Sequence, residues 1–474
     1  MVFASIEFLF VFLPLNLLLY ALLRSDQHRN LLLTFFSLAF YAWGEPVWIT
    51  LLLFSATVDY IHGRVIERYR GTDWAKAALI SSLGLNLGLL GLFKYSGFLY
   101  RTINQACGTS FDVPEFTLPI GISFYTFQTI SYVVDVYRGD VRAQRSYPRF
   151  LMFVSLYHQL VAGPIVRYAD IAAEIDTRRV QLSKFSEGVT RFATGLCKKV
   201  CIANVAGELV GRYMDADAST LSCAEAWFGL AMFSLQIYYD FSGYSDMAIG
   251  LGQMFGFTYL ENFNYPYVSQ SVSEFWRRWH ISLGSFFRDY VYIPLGGNRR
   301  HPVRNLFIVW FLTGLWHGAS WNFVLWGLYF GILIYLEKNP LKPFFTVLPS
   351  VLRHAYLVFV AVLGWAIFYF TDITAMAAYM KVLFTPLGGT ESSMGGGALS
   401  EVIAEHALWL LTALVLCTPI YVSAKTLALQ WASVSRTRVN ALVCAAMFRD
   451  VSLLILSTVM LVGGTHNPFL YFRF

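Results

Sequence analysis

The stretch "NLFIVWFLTGLWHGASWNFVLWGLYFGILIYL", Asn305 to Leu336, carries no Asp, Glu, Lys or Arg across 32 positions. At 1.5 Å of rise per residue, 32 helical residues would reach about 48 Å, well beyond the ~30 Å hydrocarbon core of a bilayer. The run is membrane sequence, and it has to bend, break or tilt steeply. Its one titratable side chain in the middle is His317, bracketed by Gly314 and Gly318 at a spacing that lets a neighbouring backbone come close. On a continuous helix, Thr313, His317 and Ser320 share one face and make a polar stripe. Polar groups at that depth face the protein interior or a water-filled cavity. Imidazole suits proton transfer there, because its ordinary pKa of ~6.5 lies near working pH. The plainer alternative is a histidine that only hydrogen-bonds a neighbouring helix.

The rest of the chain agrees with a membrane reading. Of 474 residues, 57% are hydrophobic, 17% aromatic and only 14% charged, and the mean hydropathy is +0.53. Soluble domains carry about 25% charged residues. Other apolar runs cover 6–23, 31–58, 77–93, 151–166, 226–239, 355–370, 407–422 and 451–463. These predict an all-α polytopic membrane protein with about 9–12 membrane helices. No long polar stretch interrupts them, so residues 1–474 are expected to form a single membrane domain. The Gly- and Ser-rich segment 385–401 is expected to be a flexible loop. No Lys or Arg precedes Arg24, and no small-x-small cleavage pattern follows the first run, so that run reads as a retained helix.

The formal net charge is +6, and the basic residues cluster. One group runs from Arg138 to Lys199 and a second from Arg277 to Arg304. Basic loops stay in the cytoplasm, so both clusters are expected there, against anionic lipid headgroups. Because they sit between apolar spans, nucleic acid is not an expected partner. The six cysteines form no CxxC pair and, with no histidine or acid near Cys197 and Cys201, no metal site is expected.

Two further polar stretches stand out. In "SEFWRRWHIS", Ser273 to Ser282, helical spacing puts Trp276, His280, Leu283 and Phe287 on one face and Arg277 on another. This pattern predicts an amphipathic helix at the membrane interface, with His280 held at shallow depth. In "YDFSGYSDMAIG", Tyr239 to Gly250, Asp240, Ser242, Ser245 and Asp246 follow an apolar run. A serine hydrolase reading fails because Met247 stands where a nucleophile elbow needs its second glycine. A hydrogen-bonded lining of a substrate path, through Asp240 and Ser242, fits better.

Five stretches together carry a resemblance: "SEFWRRWHISLGSFFRDYVYIPLGGNRR", "LTGLWHGASWNFVLWG", "YYDFSGYSDMAIGLGQMFGF", "ENFNYPY" and "ISFYTFQTISYVVDVYRG". The chain resembles the membrane-bound O-acyltransferase family, in the branch of the membrane subunits of bacterial alginate O-acetylation. It departs from that pattern at Tyr157 and His158, where relatives often carry Phe-Pro, and at Gly284, where a serine is common.

The resemblance implies a ring of membrane helices around a thin centre pierced by a tunnel. It implies two functional histidines, matching His280 and His317 here, with His317 the essential one. It implies acetyl transfer from acetyl-CoA in the cytoplasm toward an acceptor across the bacterial inner membrane, with no permanently bound cofactor. A periplasmic or surface partner resembling SGNH hydrolases, within a polysaccharide synthesis complex, would complete transfer to a glycan hydroxyl.

That chemistry needs a base for the incoming hydroxyl and donors for the oxyanion. Asn322, Trp316 and Ser320 are candidate donors. Arg277, Arg278, Arg299 and Arg300 are candidates for the donor's phosphates. Two other classes stay open: transfer of another acyl group, such as D-alanine from a carrier protein, and a non-enzymatic transporter or scaffold with a polar pore.

Overall fold

A computed structural model describes residues 1–385, 399–463, 469 and 470, and the secondary structure among them is helical, with no strand. The protein is an all-α, multi-pass membrane protein. Among the described residues, four helices are each long and apolar enough to cross a bilayer: Ile49–Arg68, Asp73–Cys107, Ser350–Tyr369 and Arg436–Gly463. The pair Leu399–Glu405 and Ala407–Leu416, bent by 68°, would make a fifth. Several of the other apolar runs are divided by the backbone into shorter helical pieces. The run 151–166, for example, ends its helix at Ser155 and turns irregular around Gly163 and Pro164, where proline cannot continue a helix. Of the segment expected as a flexible loop, residues 386–398 lie outside the described residues, and a helix already begins at Leu399.

Two compact units can be described within the chain. The first takes in Met1–Phe192 and Tyr244–Glu261. Its centre is three helices packed on one another, α1 (Ile49–Arg68), α2 (Asp73–Leu90) and α3 (Ile122–Arg138). Between them lies Asp59, fully buried, its two carboxylate oxygens accepting from Ser82 Oγ at 2.6 Å and Asn86 Nδ2 at 2.8 Å. In an apolar setting such a carboxylate persists only when each oxygen is satisfied within the bundle.

Arg178, one of the basic cluster from Arg138 to Lys199, belongs to this unit and is buried within it. It donates to Tyr20 Oη at 2.8 Å and Asn30 Oδ1 at 2.5 Å, and its guanidinium lies over the Phe257 ring.

Helix α4 (Cys223–Met254) belongs to the second unit up to Gly243 and to the first from Tyr244. It starts at a capping box: Ser222 Oγ accepts from Glu225 N–H while Glu225 accepts from Ser222 N–H.

The second unit continues with α5 (Val272–Arg278), α6 (Ile281–Phe287), α7 (Pro302–His317), α8 (Trp321–Lys338) and α9 (Ser350–Tyr369). An aromatic core gathers Phe275, Trp279, Trp326, Phe330 and Trp365 from three of these helices and the α5–α6 junction. The helix Arg436–Gly463 has only 6% of its apolar window buried, and Val443, Met447, Val451, Ile455 and Val459 point outward. Such a face suits contact with lipid.

Candidate active site

The 32-residue run that opened the sequence is a helical hairpin. Pro302 at the first turn starts α7, where a missing N–H costs nothing. The helix ends at His317, and α8 begins at Trp321. The two arms meet along glycines. A Cβ on Gly314 would stand 2.3 Å from the Phe323 carbonyl oxygen, and one on Gly327 would stand 2.2 Å from that of Trp310. A Cβ on Gly318 would meet the Phe323 ring at 2.1 Å. The close approach expected of Gly314 and Gly318 is therefore made by the hairpin's own second arm.

His317 occupies the last position of α7, at the tip. Its ring stands edge-on to Trp326 at 4.9 Å, Phe368 at 5.1 Å and Trp316 at 4.9 Å between centroids. The expected polar stripe stops with the helix: Thr313 is on α7, whereas Ser320 lies beyond the break with extended backbone. Ser320 Oγ donates to Asn322 Oδ1, and Asn322 Nδ2 donates to the Ile367 carbonyl at 3.3 Å. Both side chains thus tie the tip to α9.

His280 departs most from expectation. No continuous amphipathic helix forms. The chain breaks between α5 and α6, and His280 sits in the break with φ of 47°, a left-handed conformation that non-glycine residues seldom adopt. It is 2% exposed, enclosed by the protein itself. Its ring lies edge-on to Phe241 at 4.6 Å and near Trp316 at 5.8 Å. The break is pinned by a segment earlier in the chain: Ile281 N–H donates to the Asn262 carbonyl at 3.0 Å, and Asn264 N–H to the Arg278 carbonyl at 2.9 Å.

The structure thus brings His280, Trp316 and His317 into one aromatic-walled cluster with Phe241 and Asn262. The last two were not singled out in the sequence. A signal for Asn262 existed, since a short amide inside so apolar a chain needs partners if buried.

Other candidates go elsewhere. Asp240, next to Phe241, is buried and engaged: Lys199 Nζ lies 2.6 Å from Oδ1, and Leu470 N–H donates to Oδ2 at 2.7 Å. Ser242 is buried one residue further along the helix, its hydroxyl without a hydrogen-bond partner among the described residues. Arg278 pairs with Glu274 at 2.9 Å, and Arg277 is exposed. Arg299 and Arg300 are exposed just before α7, so about 24 Å of helix separates them from His317.

Comparison with known proteins fits this arrangement. The model of the membrane-bound O-acyltransferase family matches residues 19–378. The chain is 37% identical to a protein of Pseudomonas putida named "Probable alginate O-acetylase AlgI", covering 100% of each chain. It is 33% identical to a peptidoglycan O-acetyltransferase of Helicobacter pylori, over 79% of this chain and 78% of that one. It is also 27% identical to a teichoic acid D-alanyltransferase of Bacillus subtilis, over 45% of this chain and 58% of the other. With more than half its length matched and the histidine-bearing hairpin inside the match, the chain belongs to the membrane-bound O-acyltransferase family.

Proposed function

We propose that this O-acyltransferase moves acetyl from acetyl-CoA to an acceptor hydroxyl, with His317 as general base. The acceptor oxygen adds to the thioester carbonyl as its proton passes to His317. The tetrahedral oxyanion then collapses, the C–S bond breaks, and the CoA thiolate recovers the proton. His280, near the same indole, accepts a hydrogen bond from a second donor group of the acceptor and so orients the reacting hydroxyl toward His317. The observation that carries this reading is the placement of both histidines against Trp316, with His317 at the end of a hairpin of otherwise uncharged membrane sequence. A base there is flanked by aromatic rings that fix its orientation, and it is only partly buried, so an acceptor can reach it.

The acetyl group is favoured because the relatives matched along most of the chain are named O-acetylases, while the D-alanyltransferase match covers under half. The site is read as lying in the bacterial inner membrane with both basic clusters in the cytoplasm. The product side then feeds a periplasmic or surface acetyltransferase resembling SGNH hydrolases, which acts on an exported polysaccharide such as alginate within its synthesis complex. Asn322 and Ser320, tied to α9, hold the tip in place, and Trp316 remains the candidate oxyanion donor. Arg277 is the exposed arginine nearest His280 in sequence and is the candidate for the donor's phosphates.

The test uses the protein in lipid nanodiscs with acetyl-labelled acetyl-CoA and measures thioester cleavage dependent on added acceptor. His317→Gln at wild-type abundance should lose the reaction. Undiminished turnover would remove His317 from the chemistry.

A further inference from the structure

The motif "ENFNYPY", Glu261 to Tyr267, has no part in the mechanism above, yet its Asn262 is fully buried and lies against His280. Three hydrogen-bonding groups converge on Asn262 Oδ1: Ser282 N–H at 3.2 Å, Ser282 Oγ at 2.9 Å and His280 Nδ1 at 3.1 Å. A backbone N–H can only donate, so the atom it faces is the amide oxygen. An amide oxygen can only accept, so His280 Nδ1 must carry the proton. In a neutral imidazole the other nitrogen then holds a lone pair. That nitrogen, Nε2, is buried and has no hydrogen-bond partner among the described residues.

We propose that Asn262 is a positioning residue that fixes His280 in the tautomer protonated on Nδ1, leaving Nε2 as the hydrogen-bond acceptor that holds the acyl acceptor beside its reacting hydroxyl. The role rests on the reading of His280 given above and goes beyond it by naming the atom and what sets it. The same asparagine also fixes where His280 sits. Its carbonyl receives the Ile281 N–H at 3.0 Å, so one residue holds both the left-handed break and the ring within it. Partners that hold the second nitrogen of a metal-ligating histidine set its orientation and tautomer, and losing one costs about 10–100-fold; the same restraint on a substrate-facing histidine is taken to act on that scale.

The test has three arms, each at matched abundance in nanodiscs. Asn262→Leu keeps the size but removes the acceptor, and acetyl transfer should fall about 10–100-fold with KM for acetyl-CoA unchanged. Asn262→Asp keeps the acceptor and adds a negative charge beside Nδ1–H, which favours the protonated imidazole. Since His280 has to be neutral to accept, the acidic limb of the rate profile should move up by about one unit, with activity recovered at alkaline pH. The third arm needs no change at Asn262. In the ¹⁵N spectrum of histidine-labelled protein, the resonances lost in His280→Gln should be a protonated Nδ1 and a bare Nε2. A protonated Nε2 at His280 overturns the proposal, as does an Asn262→Asp profile identical to wild type. Full activity in His280→Ala would instead remove the role of His280 itself.

Discussion

The indole of Trp316 lies 5.8 Å from the imidazole of His280 between ring centroids, and the next residue along the chain is His317. One tryptophan therefore stands between two histidines delivered by unrelated pieces of backbone, a strained break and a helix end. Replacing the indole with a smaller ring should loosen both at once. Trp316→Phe is expected to lower kcat by at least about tenfold, because a displacement near 1 Å at reacting groups can cost about 100-fold. A variant with wild-type kcat would mean that the indole does not set the geometry.

His317→Gln keeps hydrogen bonding and approximate shape but cannot take up a proton near neutral pH. Removal of a general base costs about 10²–10⁴ in rate. Acetylation of the exported polymer should drop by at least about a hundredfold, with the variant present in membranes at the normal level. His280→Ala should give a smaller, partial loss, as befits a group that orients rather than abstracts.

The glycine seam of the hairpin gives a packing test. Gly314→Ala drives a methyl group to 2.3 Å from the Phe323 carbonyl, so the arms must part. Overpacking of this kind costs about 1–3 kcal/mol, and it should lower the unfolding temperature in detergent and the activity together. Gly84, in α2, has open space around its would-be Cβ. Gly84→Ala should be neutral, or stabilising by up to about 1 kcal/mol. Equal behaviour of the two variants would discount the seam.

Lys199 and Asp240 form a buried pair, both under a tenth exposed. Removing one partner strands the other charge, at a cost of about 3–5 kcal/mol, whereas removing both is far milder. Lys199→Met should therefore unfold at a markedly lower temperature than Lys199→Met combined with Asp240→Asn. If the double variant is stable but inactive, Asp240 acts on the substrate path as well as in the fold.

Orientation can be read by labelling. Leu182 is 84% exposed and Asn298 is exposed, and they lie beside the two basic clusters. Cys107 and Cys444 are exposed and must first be replaced. Cysteines at 182 and 298 should resist an impermeant reagent in intact cells and react after permeabilisation. Reaction from outside at either would reverse the orientation assigned above.

What the sequence disclosed followed from length and composition. The uncharged run was too long for one crossing, so a bend, break or tilt could be anticipated from geometry, but its place just after His317 could not. Nor could the break at His280. The periodicity of Trp276, His280 and Leu283 is that of a good helix, and it is overridden by hydrogen bonds from Asn262 and Asn264, many residues earlier in the chain. The burial of Arg178 and Lys199 was hidden from the sequence for a related reason. A tally of charges locates basic segments but does not tell which guanidinium or ammonium turns inward to meet Asn30 or Asp240.

The contact between Leu470 N–H and Asp240 Oδ2 has a bearing on biosynthesis. A carboxylate at position 240 enters the translocon long before position 470 has left the ribosome. Until then Asp240 has Lys199 as its partner from the preceding chain and lacks the backbone donor that completes its shell. The nascent protein therefore holds an incompletely hydrogen-bonded carboxylate from the synthesis of position 240 until position 470 is in place, about half of the chain's elongation. Ribosomes stalled short of position 470 should display a chain that proteases cleave readily, and release of the last residues should abolish that sensitivity in a single step.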